Sequence, residues 1–188
     1  MFQGWEAFYT LTGTCSGALI SLLFVVATLT SGHERPANSR GLSIYMSPIV
    51  FHFAVVIAIS ATALAPRLPA PLADLAIAAC AGVGVVHMLV NGRLFAHRDF
   101  TAPHWSDFWC YVAVPGAIYL ALGVVAAALR FVPDVAVYAL GLALLTLMLS
   151  AIRNAWDLVT WMAPRAPRNG GSDAGSDAPG YTSDDTSG

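Results

Sequence analysis

The sequence predicts an all-α protein, a transmembrane helical bundle of five spans, from three observations. Hydrophobic residues make up 57% of the chain and charged residues only 11%, whereas an ordinary soluble domain is about one quarter charged. The chain has 188 residues, one domain by length, and a water-soluble core of that size cannot hide so much apolar surface. The apolar residues also come in runs of about 20, the length that carries a helix across roughly 30 Å of hydrocarbon. None of the runs alternates strictly, and each is too long for a strand, so the helix reading wins.

The elements follow in order. The first predicted span, 9–29, reads "YTLTGTCSGALISLLFVVATL". The second, 42–64, contains Pro48, and the fourth, 108–129, contains Pro115. Both prolines are tolerable in a bundle, where neighbouring helices satisfy the freed carbonyls. The third span covers 72–90, and the fifth, 135–163, is longer than a crossing requires. The links "APRLPAP" and "RFVPD" read as tight turns, while "TSGHERPANSRG" and "NGRLFAHRDFTAPHWSD" read as longer loops. The segment 164–188 is rich in Gly, Ser, Asp and Pro. It has little apolar surface to bury and is expected to be a disordered tail.

Arginine placement orients the bundle. All nine basic residues are arginine, which points to GC-rich coding and a bacterial source. With the N-terminus outside and the C-terminus inside, the inner side receives Arg35, Arg40, Arg93, Arg98, Arg153, Arg165 and Arg168. The outer side then receives only Arg67 and Arg130, in keeping with the positive-inside rule. The segment "MFQGWEAF" lacks the basic start and small-residue site of a cleaved signal, so the first span is expected to stay. Trp105, Trp109, Trp156 and Trp161 fall near the inner interface and Trp5 near the outer one, as membrane anchors do. The expected location is the inner (plasma) membrane of a bacterium.

The polar residues inside this apolar chain are the candidate site. "IRNAWDLVTWM" places Arg153, Asn154 and Asp157 at the inner end of the fifth span. Arg153 and Asp157 are four apart and share a helix face; they read either as a local, lipid-facing pair or as groups turned inward toward His52 or His87. His52 falls about 15 Å deep on the second span, and His87 about 5 to 8 Å deep on the third, near Asn91. His33, His97 and His104 lie in the two inner loops, so all five histidines fall in the inner half. A histidine titrates near neutral pH and suits a proton relay, but a neutral histidine bonded to a carbonyl is an equally ordinary packing solution.

Gly13, Gly17 and Ser21 recur every four residues on the first span, a small-residue row that lets helix backbones approach. Ala78/Gly82 and Ala113/Ala117/Ala121 offer matching thin faces. Cys15, Cys80 and Cys110 sit in three different spans and read as unpaired thiols. "HRDFTAPHWSD" offers His97, Asp99, His104 and Asp107, but the spacing is too loose to define a metal site. "HRDF" imitates a kinase catalytic loop without the later asparagine or a glycine-rich phosphate loop, and is a chance match. There is no HExxH, GxSxG or Walker motif, and no basic patch for nucleic acid.

The pattern "GTCSGALISLLFVVATL", with "SPIVFHF" and "IRNAWDLV", resembles small bacterial multi-pass membrane proteins of uncharacterised function. The resemblance covers parts of spans one, two and five and implies a bacterial inner-membrane protein with no residue roles attached. The expected function is therefore that of a non-enzymatic interaction or regulatory protein without cofactors. Its expected partners are the lipid bilayer and another membrane protein or a second copy of itself. The competing expectation is a proton- or ion-coupled channel or transporter using the inner-half His/Arg/Asp cluster.

Overall fold

The computed structural model describes residues 2–31, 36–96 and 109–162. Five long helices follow one another: α1 (Glu6–Ser31), α2 (Pro36–Leu64), α3 (Ala70–Ala96), α4 (Val114–Ala128) and α5 (Pro133–Met162). A π-helical turn, Trp109–Ala113, leads into α4. There is no strand among the described residues, and all five helical segments are long and apolar enough to cross a membrane.

Two helix ends differ from their sequence-based positions. Thr30–Gly41 reads as a loop, yet α1 runs on to Ser31 and α2 begins at Pro36. Likewise α3 continues through Ala96 rather than ending near Val90. Hydropathy marks where the apolar run stops, but a helix continues into the headgroup region wherever its backbone stays hydrogen-bonded, and Pro36 at a first helical position is compatible with that. The expected tail at 164–188, the loop histidines His33, His97 and His104, and Trp105 lie outside the described residues.

The two tight links were read as turns, and turns they are. Arg67 occupies the left-handed region, φ +58°, in the α2–α3 link. Such short links make consecutive helices antiparallel neighbours. Helix α1 packs chiefly on α2, and α3 on α4, while α5 lies against both α2 and α4. Helix α2 also touches α3, and α5 also touches α1, so α2 and α5 each contact three other helices. Before α1, Gly4 at φ +84° allows a tight turn closed by the Trp5 N–H donating to the Phe2 carbonyl at 3.1 Å. That turn delivers Trp5 onto Tyr138 of α5, edge to face at 4.9 Å.

Apolar side chains are distributed as lipid requires. A core of Ile59, Ile77, Leu122, Leu140, Leu144 and Leu147 is closed off. Meanwhile Leu142 is 67% exposed, Val124 70% and Phe131 82%. Water would penalise that outer belt at about 25 cal/mol per Å², whereas hydrocarbon imposes no such cost. The described chain is thus built as a multi-pass membrane protein.

Candidate functional site

Helix α2 places His52 at its centre, with neighbours on every side, and the residue is fully buried. Its Nδ1 lies 2.8 Å from the Tyr119 hydroxyl of α4. Tyr119 sits midway along the Trp109–Ala128 span, so the pair occupies the middle of the apolar layer. The reason Tyr119 fits there is Gly84 of α3. A Cβ at that position would collide with the Tyr119 ring, so only glycine lets α3 and α4 close around it. His87, one turn further along α3, stacks on Phe51 with centroids 4.1 Å apart and planes 22° apart. Phe51 also contacts His52 and Tyr119 edge-on or tilted, at 6.2 and 6.1 Å. Four rings from α2, α3 and α4 therefore form one layer.

The sequence-predicted site residues divide into three groups. His52 and His87 come together through Phe51 and Tyr119. Asn91 is half-buried one turn beyond His87, and its Nδ2 has no hydrogen-bond partner. Arg153 and Asp157 are on the outer face, side chains 55% and 47% exposed, and pair with each other at 3.7 Å.

Asn154, between them in sequence, points the opposite way and is 1% exposed. Its Nδ2 donates to the Cys110 carbonyl at 3.0 Å, and the Tyr111 hydroxyl donates to the Asn154 carbonyl at 3.0 Å. This explains the asparagine. In the i→i+5 register of the π turn, the Cys110 carbonyl faces the nitrogen of residue 115, which is a proline without an N–H. The Asn154 amide supplies the missing donor from α5.

The small-residue row of α1 also divides. A Cβ on Gly13 would stand 3.2 Å from Ser60 Cβ, so Gly13 marks the close approach of α1 to α2. Gly17 has open space around it, and Ser21 is exposed with its hydroxyl donating to its own helix at the Gly17 carbonyl. Ala78, Gly82, Ala117 and Ala121 are exposed too, so those thin faces do not meet α1. Cys15, Cys80 and Cys110 are free thiols. Among the described residues no group of three or more His, Cys, Asp or Glu is placed to hold a metal ion.

Four features escape a reading of the sequence alone. Tyr119 looks like any apolar-span tyrosine until Gly84 is seen opposite it. Thr12 and Ser60 share a hydrogen bond of 3.1 Å across the α1–α2 interface. Ser16, one turn on from Thr12, is fully buried with its hydroxyl unpartnered. Asp74, almost buried at the start of α3, meets Arg130 of the α4–α5 turn at 3.8 Å. The last had a legible signal, since an aspartate near the start of one apolar span and an arginine in a facing turn are opposite charges at one end of the bundle.

At the end of the bundle where α2 turns into α3, a cleft of about 430 Å³ opens between Phe2, Gln3, Glu6, Thr62, Arg67 and Leu68, among others. Phe2 packs edge-on against Tyr9 at 5.5 Å, so the cleft reaches the first buried layer of α1. No protein family, curated protein or solved structure matches this chain.

Proposed function

We propose that this protein is an integral membrane protein of a bacterial plasma membrane, N-terminus outside and C-terminus in the cytosol, that works by contact with a second membrane protein and not by catalysis. The orientation rests on the seven-to-two division of arginines between the two sides of the spans. The bacterial setting rests on the all-arginine composition and on the resemblance carried by "IRNAWDLV". The contact reading rests on one observation. Gly13 of the α1 row is consumed by α2, while Gly17 of the same row is half-buried with open space where a Cβ would stand and Ser21 is exposed. A small-residue row that continues past its internal partner offers a close seat to another transmembrane helix.

Photo-crosslinking in native membranes tests this. A photoreactive residue at Gly17 or Ser21 is expected to give a discrete adduct, and the same probe at Leu142, on the lipid-facing side of α5, is not. Adducts of twice the chain mass identify the partner as a second copy. Absence of adducts at both α1 positions, with a protein that purifies alone as a monomer, contradicts the reading.

A further inference from the structure

We propose that a file of buried polar side chains through the centre of the bundle is a proton path, a function independent of the contact made by α1. Among the described residues seven buried side-chain atoms lack a hydrogen-bond partner, and five of them fall on this file: Tyr9 Oη, Ser16 Oγ, His52 Nε2, His87 Nε2 and Asn91 Nδ2. An unpaired polar atom in hydrocarbon costs several kcal/mol, so five in series call for a common explanation. Ordered water is the ordinary one, provided each site offers polar partners.

The spacing suits water. Thr62 lines the cleft, and Ser60, bonded to Thr12, lies about 3 Å deeper along α2. Ser16 is four residues beyond Thr12 on α1, about 6 Å further in. Because α1 and α2 run antiparallel, His52 lies eight residues from Ser60 and so about 6 Å beyond Ser16. His87 stacks beside Phe51, almost level with His52, and Asn91 is about 6 Å further on. One water bridges about 5.5 Å and two bridge about 8 Å, so a step of about 6 Å takes one or two waters. The file extends about 20 Å from Thr62 to Asn91, most of the roughly 30 Å of hydrocarbon, with a cleft at one end.

The chemistry is proton transfer alone. At each hop one O–H or N–H bond breaks and one forms, and nothing is oxidised or reduced. His52 takes a proton at Nε2 from one water while its Nδ1–H donates to the Tyr119 oxygen; once the next water of the file has replaced the first at Nε2, the same Nε2–H bond breaks and that water takes the proton. Neutral histidine with Tyr119 as fixed partner is thereby regenerated. The titratable groups near His52 are Tyr119 of α4 and His87 of α3, with Cys80 of α3 packed against the core that holds Tyr119; on α5, Arg153 and Asp157 face outward.

The test uses the purified full-length chain in liposomes with an entrapped pH dye and a potassium diffusion potential. Wild type is expected to move protons well above protein-free vesicles. His52→Phe is expected to lower that flux about tenfold or more, and Ser16→Ala several-fold, as removal of relay groups does. Thr146→Val, whose hydroxyl is on the exposed side of α5 and bonded to its own helix at the Leu142 carbonyl, should leave it unchanged. Should His52→Phe fail to fold, Ser16→Ala and Thr12→Val interrogate the same file. Wild-type flux equal to that of empty vesicles overturns the proposal, as does wild-type flux in the folded file variants. Neither outcome bears on crosslinking at Gly17.

Discussion

Two polar regions of this apolar chain have opposite fates. His52 and Tyr119 meet in the middle of the bundle, fully enclosed, with a hydrogen bond of 2.8 Å and a glycine cut to fit the ring. Arg153 and Asp157 pair on the outer surface at 3.7 Å, about half exposed. The first region is held by shape, since Gly84, Phe51 and Tyr119 leave little freedom. The second is held only by a pair of long side chains near an interface, where such pairs contribute little. The difference teaches that charge is a poor guide to which polar residue organises a membrane bundle. The neutral groups Tyr119, His52 and Asn154 connect helices, whereas the charged neighbours of Asn154 do not.

Mutations sharpen the contrast, and the largest effect is expected at a residue with no side chain. Gly84→Leu forces α3 away from Tyr119 and should cost about 1–3 kcal/mol or more, as overpacking does, read as a fall in thermal unfolding temperature in detergent. Asn154→Leu removes the donor to the Cys110 carbonyl and leaves the carbonyl beside Pro115 without one. A loss of about 1–2 kcal/mol is expected, with faster hydrogen exchange at the start of α4. Tyr119→Phe keeps the ring and deletes one hydrogen bond, so about 0.6 kcal/mol should be lost. Equal losses for Tyr119→Phe and Gly84→Leu would show that hydrogen bonding, not shape, sets the layer. Arg153→Ala is expected to change stability by less than about 0.5 kcal/mol; a larger loss would erase the contrast.

Much of the architecture was legible because lipid simplifies the code. Twenty apolar residues in a row define a span whatever their neighbours, and the five runs became five helices. The ends were less legible, since nothing in hydropathy stops α1 at Leu29 or α3 at Val90. The site was legible only in part. His52 announced itself as an imidazole within an apolar run, but its partner Tyr119 depends on Gly84, 35 residues away in sequence, and no local pattern links them. "IRNAWDLV" drew notice for its three polar residues, yet which of them turns inward depends on the angular position of α5 against the π turn. Spacing puts Arg153 and Asp157 on one face without saying which way that face looks.

The most direct measurement of the account is the sidedness of the chain. In a variant with Cys15, Cys80 and Cys110 replaced by alanine, single cysteines at Gln3 and at Ser187 are treated with a membrane-impermeant maleimide on intact cells. Gln3→Cys is expected to label at once and Ser187→Cys only after the membrane is opened. Labelling of both from the same side would mean an even number of crossings and would contradict the five-span bundle.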